Sequence, residues 1–322
     1  MKYTNSVKQF LEENASVFSI LSFFIFMTLF FAISADSFFT QRNFLNLLRQ
    51  SAPILIAATA MTFVITTGGI DSSVGSTLAI VNALCAILLM HQFHWILVLF
   101  ILIIVGITCG LVQGYFIAYE GIPAFIVTLA GMSSIRGIAL LMTEGFTIPI
   151  DRNLGIIYLG RGWLFGIPIP AIIAVVIIFI GYILLNNTTY GQYVTGIGSN
   201  SEATRRSGIN IKFYTLVTYI FCGVCAAIGG IIIAARLGSG SSNAGIMFEL
   251  EVIAAVVLGG TNLFGGKGSI VGTILGALTI AIIGNGLILL HVSSFYTKIV
   301  TGFIILIAIW LNRRYFQNSI KT

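Results

Sequence analysis

The stretch NNTTYGQYVTGIGSNSEATRRSGINIK, Asn186 to Lys212, is the one long polar interval in a chain that is otherwise an almost continuous series of apolar segments. It gathers Glu202, Arg205, Arg206 and Lys212 in a chain of 322 residues of which 57% are hydrophobic and only 8% charged. Asn200 or Ser201 can cap a short helix here, Glu202 suits its first turn, and Gly208 can stop it. That helix would run about two turns, too short to hold in water by itself. A chain that places nearly everything else in lipid, yet keeps a basic, helix-forming loop outside, is offering that loop to a partner. An ordinary connection between two spans is the plainer alternative.

Composition sets the surroundings of this loop. The mean hydropathy is +1.04, and the charged fraction is far below the roughly 25% of soluble domains. A compact fold in water still needs polar cover, which this chain cannot supply. The expected fold class is therefore all-α and polytopic, because helices satisfy their own backbone in lipid. At roughly 20 residues per span, apolar windows place ten spans near 16–34, 51–67, 74–90, 95–118, 122–142, 167–185, 213–236, 248–260, 268–290 and 295–311. All 322 residues form one transmembrane domain, with tails at 1–15 and 312–322 and the loop at 186–212. The first apolar stretch lacks a small-x-small cleavage site and is expected to stay as a helix.

The net charge of +6 fits anchoring of cytoplasmic loops rather than nucleic-acid binding. With the N-terminus inside, inner loops and tails hold Lys2, Lys8, Arg205, Arg206, Lys212, Lys267, Arg313, Arg314 and Lys321. Outer loops hold Arg42, Arg49, Arg152, Arg161, Arg236 and Lys298. Nine against six puts both termini and the 186–212 loop in the cytoplasm. The cysteines Cys85, Cys109, Cys222 and Cys225 all fall in apolar stretches, so the Cys222-x-x-Cys225 pair reads as small core residues rather than a metal or redox site. No metal and no cofactor is expected.

Two glycine-rich turns resemble each other. Gly68-Gly69-Ile70-Asp71 leads to Gly75-Ser76, and Gly259-Gly260-Thr261-Asn262 leads through Gly265-Gly266-Lys267 to Gly268-Ser269, about 190 residues later. Two weakly related halves would explain this, as would chance. Glycine pairs allow close backbone approach or positive φ, and Asp71 or Asn262 can cap the helix that follows. The second turn is not a phosphate-binding loop, since Gly268 separates Lys267 from Ser269.

Polar residues within spans are costly and tend to face a path or the bundle interior. Asn82, Gln113, Thr128, Ser133, Arg136 and Asn285 are the candidates. Arg136, the formal charge well inside a span, either snorkels to water or faces a pore. Asn82 and Asn285 either line the path or bond neighbouring helices. His91, His94 and His291 sit near span ends, where an interfacial role is expected. Asp71, Glu120 and Glu144 are placed at span edges, leaving no acid at mid-span to couple an ion to a solute.

Three stretches carry a family resemblance: Thr66-Thr67-Gly68-Gly69-Ile70-Asp71-Ser72-Ser73-Val74-Gly75-Ser76, Ser201-Glu202-Ala203-Thr204-Arg205-Arg206-Ser207-Gly208-Ile209-Asn210, and Ala254-Ala255-Val256-Val257-Leu258-Gly259-Gly260-Thr261. Gly265-Gly266-Lys267-Gly268 and Asn285-Gly286-Leu287 extend the last. In them the chain resembles the permease subunits of bacterial ATP-binding-cassette sugar importers, from about Phe38 to Leu311, departing at Ser72 where the family usually has leucine. The resemblance implies no enzyme activity. It implies a cytoplasmic ATPase subunit, a periplasmic or lipid-anchored sugar-binding protein, and a second copy of the chain. The cargo would be a monosaccharide, ribose first, with galactose, xylose, arabinose or a furanose-like signal as alternatives. Glu202, Ala203, Thr204, Arg205, Arg206 and Gly208 match the family's coupling loop. An ion-coupled carrier is the rival reading.

Overall fold

With no water to take up backbone polarity, runs of Leu, Ile, Val and Phe must close their hydrogen bonds within helices, and the long apolar runs among the described residues do so. The computed structural model describes residues 15–293 together with 296, 299, 300, 302, 303 and 306. In chain order the helices are α1 (Ala15–Ser34), α2 (Gln41–Thr66), α3 (Val74–Met90), α4 (Trp95–Ala118), α5 (Ala124–Thr143), α6 (Ile157–Arg161), α7 (Ile169–Asn187), α8 (Thr189–Ser199), α9 (Ser201–Arg206), α10 (Ile211–Leu237), α11 (Phe248–Leu258) and α12 (Ile270–Leu289). Four short strands accompany them: β1 (Thr147–Pro149), β2 (Trp163–Leu164), β3 (Ile167–Pro168) and β4 (Ser239–Ser241). β1 pairs antiparallel with β4, Ile148 opposite Gly240, and β2 with β3 as a hairpin.

Seven of the described helices are long and apolar enough to cross a membrane, and α3 is a shorter apolar helix. The chain is a polytopic all-α membrane protein. Against the ten expected spans, α11 has only 11 residues, too few to cross at 1.5 Å per residue. The span expected at 295–311 lies outside the described residues except for Tyr296, Ile299, Val300, Gly302, Phe303 and Leu306, which are helical. The second span begins at Gln41 rather than 51, so Arg42 and Arg49 are helical, not in a loop. Thr40 caps that end by accepting from the Asn43 N–H, and Asn43 and Asn285 exchange amide hydrogen bonds at 3.0 Å. Polar residues satisfied this way extend a helix beyond its apolar window.

The core gathers around α2, buried without interruption from Ser51 to Thr66, and is completed by α3, α10, α11 and α12. Small residues let these helices approach closely. On α4, Gly106, Gly110 and Gly114 recur every four residues and lie against Gly223, Tyr219 and Leu216 of α10. On α12, Gly276 lies against Ala255 of α11 and Gly272 against Gly259 just past its end. Thr62 and Thr273 share a buried hydroxyl hydrogen bond of 2.8 Å between α2 and α12.

Candidate functional site

The polar interval 186–212 is not a loop carrying one helix but two successive helices, α8 and α9. α8 has an apolar side, with Gly191, Val194 and Ile197 buried, and its Tyr190 hydroxyl meets Thr218 of α10 at 2.9 Å. The sequence carries this signal as Tyr190, Val194 and Ile197 at helical spacing. α9 is short and sharply bounded. Asn200 caps it by accepting from the Ala203 N–H at 2.9 Å, and Gly208 ends it with φ of +82°, where a side chain would be strained.

Glu202 lies in the first turn of α9 and binds both arginines of the last. Arg205 donates to it through Nε and Nη2, and Arg206 through Nε, each at 2.9 Å. All three side chains are exposed. The hydrogen bond from Arg205, then that from Arg206, holds the Glu202 carboxyl below its ordinary value of 4.5. One positive charge is left over, so α9 presents a cationic surface whose acid is already engaged. Thr204 faces inward instead, its hydroxyl donating to the Asn200 carbonyl at 2.9 Å. It packs beside Gly196 of α8, which ties the two helices together.

The two glycine turns converge under α8. The Gly266 N–H donates to the Thr66 carbonyl at 2.9 Å, joining the end of α2 to the turn between α11 and α12. Gly198 of α8 presses on that same carbonyl, and any side chain there would collide with it. Gly265 in turn lies against Gly198 and Gly68. Gly68, Gly260, Gly265 and Gly266 all have positive φ. Neither expected cap forms: Asp71 accepts from the N–H and hydroxyl of Ser73, and Asn262 closes its own turn with Gly265 and Phe264. Ser269 caps α12, while Ser73 precedes α3 without a side-chain cap. A cavity of ≈ 230 Å³ opens beside these turns, lined by Thr67, Gly68, Gly69, Lys212, Thr215 and Tyr219 among others. Within the bundle next to it, the buried Tyr219 hydroxyl has no partner.

At the other end of α10 the chain turns back on itself. Residues 239–249 run inward between α3, α5 and α10, with the Gly245 carbonyl and the Glu249 carboxylate both against Gly75. Irregular backbone at such a place needs partners from the surrounding protein. Arg136 of α5 supplies them, donating through Nη1 to the carbonyls of Ser242 and Ala244 at 2.6 and 2.7 Å, and through Nη2 to Gly245 at 3.3 Å. Arg136 thus spends its guanidinium on the backbone carbonyls of this segment. Asn82 accepts from the Ser241 N–H at 2.7 Å and donates to the Gly230 carbonyl at 3.1 Å. Thr143 donates to the Ser242 hydroxyl at 2.8 Å.

The remaining path candidates scatter. Gln113 donates to the Ser73 hydroxyl at 2.7 Å, Thr128 to the Ile70 carbonyl at 3.1 Å, and Asn285 pairs with Asn43. Ser133 is exposed on α5. Two acids reach into the bundle from helix ends, Asp71 in the turn before α3 and Glu249 in the first turn of α11. Asp71 is 3% exposed, and Oε2 of Glu249 is buried with no hydrogen-bond partner. Cys222 and Cys225 are buried in α10. Among the described residues no group of three or more His, Cys, Asp or Glu is placed to hold a metal.

Residues 43–309 match a family described as the permease component of the branched-chain amino acid transport system. The chain is 38% identical over 316 residues to the probable ABC transporter permease protein YphD of Escherichia coli K12, covering 98% of this chain and 95% of that one. It is 42% identical over 284 residues to the ribose import permease protein RbsC of Bacillus subtilis 168, covering 88% of each. It is 33% identical over 362 residues to the xylose transport system permease protein XylH of Escherichia coli K12, covering 93% and 92%. No solved structure matches the chain.

Proposed function

This chain belongs to the permease-component family of the branched-chain amino acid transport system, and from that membership we infer its work in the cell. It is the permease subunit of an ATP-driven importer for a monosaccharide. It does not hydrolyse ATP itself; a separate ATPase subunit does so, and a sugar-binding protein delivers the cargo. The cargo is ribose, in keeping with the relatives named for ribose import. Xylose is the second reading, favoured by the relative named for xylose transport.

The placement of α9 carries the reading. A capped, cationic helix of 6 residues, seated through α8 on the junction of both glycine turns, suits the docking of a soluble motor. Glu202, Ala203, Thr204, Arg205, Arg206 and Gly208 form that contact on the cytoplasmic side, where both termini also lie. Two copies of the chain enclose the path in the inner membrane, and Ser133, on the exposed side of α5, faces it. In this arrangement Asn82 and Arg136 hold the 239–249 segment that borders the path, while Gln113 and Asn285 fix helices around it.

Purified chain alone should show no ATP hydrolysis, and co-expression with its ATPase should yield sugar-stimulated turnover, with ribose the strongest stimulant. Hydrolysis by the single chain would refute the division of labour. Stimulation by xylose but not ribose would replace the cargo and leave the class intact.

A further inference from the structure

α10 starts beside α9 and runs about 40 Å to an end that carries an unusual hairpin. In the β2–β3 turn, Phe165 and Gly166 both have positive φ, 51° and 78°, a tight-turn geometry that an aromatic residue rarely accepts. Phe165 is 95% exposed, and Trp163, Leu164 and Ile167 around it are exposed as well. The tip therefore offers only apolar and aromatic side chains to its surroundings.

Behind this tip stand cations with no anion. The Arg49 guanidinium lies over the Trp163 ring, 4.5 Å from its centroid. Nε and Nη2 of Arg49 and Nη1 of Arg236 are buried and donate to nothing. The two charges are near enough to oppose each other. Arg161 adds a third cation but spends its hydrogen bonds on the carbonyls of Arg236 and Leu237, at 2.8 and 2.9 Å. It thereby fixes α6 and the hairpin to the end of α10, where Gly160 lies against the Arg236 backbone. Among the described residues neither Arg49 nor Arg236 has a carboxylate partner.

Buried guanidinium N–H groups without acceptors are costly, and opposed like charges add to the cost. One anion between them removes both penalties. An exposed apolar tip flanked by tryptophan and arginine belongs at the edge of the hydrocarbon, and basic pockets between spans suit lipid headgroups. We propose that Arg49, Arg236 and Trp163 form a site for the phosphate of an anionic phospholipid in the leaflet opposite α9, with Phe165 set among its acyl chains. Free inorganic phosphate is the other source of the same chemistry.

Native mass spectrometry of the full chain, equilibrated with phosphatidylglycerol or phosphatidylcholine, tests this. Wild type should retain phosphatidylglycerol several-fold better, and Arg49→Gln with Arg236→Gln should lose that preference. Phe165→Ser, which alters neither arginine, should also weaken retention, and keeps the test open should the double variant fail to fold. An unchanged preference in the double variant, or unchanged lipid retention in Phe165→Ser, would overturn the proposal. So would thermal stabilisation by inorganic phosphate that equals the lipid's and ignores Phe165→Ser, which would reassign the site to the free ion.

Discussion

Arg136 and Glu202 carry charge in opposite settings, and their substitutions should fail in different ways. Arg136 donates to three carbonyls, of Ser242, Ala244 and Gly245, in the turn between β4 and α11. Arg136→Met leaves the Ser242 and Ala244 carbonyls without this donor, the Gly245 carbonyl keeping the Phe248 N–H, and should lower stability by about 1–3 kcal/mol, read as thermal unfolding in detergent, with Arg136→Lys between wild type and Met. Glu202 is exposed, so its pairing tunes α9 rather than the stability of the whole. Its folded pKa lies below 4.5, so what the pairing contributes is complete above pH 4.5 and is lost as pH falls through the lowered value. Protection from hydrogen exchange across Ala203 to Gly208, taken against the intrinsic rate at each pH, should fall only below that pH, and Glu202→Gln should abolish the dependence; fraying already at neutral pH would contradict it. The sequence marked Arg136 as the charge inside a span. Its acceptors lie more than a hundred residues later on backbone atoms, which no residue type announces, and Glu249 escaped notice because its buried surroundings come only from packing.

At the scale of elements, the proposed coupling by α9 requires that its end be sharp. Gly208 has φ of +82° and donates its N–H to the Arg205 carbonyl at 3.0 Å. Gly208→Pro forbids the first and removes the second, so it should abolish sugar-stimulated ATP turnover while the chain still inserts and runs at the wild-type size. Glu202→Lys should do the same, by adding positive charge where a negative one held two arginines. Wild-type uptake in both variants would remove the coupling assignment. The long apolar helices were legible from hydropathy alone, α3 and α4 to the residue. α8 was not read as a helix, because its glycines and threonines outweigh a three-residue apolar side. α2 began ten residues early because a cap and an amide pair, not hydropathy, define its start.

For the whole molecule, Asp71 and the Glu249 carboxylate enter the bundle from helix ends rather than from mid-helix, and kinship independently points to an ATPase rather than an ion as the power source. Vesicles holding this chain alone should not accumulate sugar uphill, and protonophore-sensitive accumulation would place it among ion-coupled carriers. The similarity of the two glycine turns could be seen in the sequence, but their meeting could not, since contact across that distance depends on how every helix between them packs. That meeting has a consequence for timing. Because Gly198 bears on the Thr66 carbonyl that also receives Gly266, a displacement of α8 reaches both breaks in the same instant. In the proposed importer the two turns would then move like doors hung on one hinge pin, neither swinging while its twin stands still.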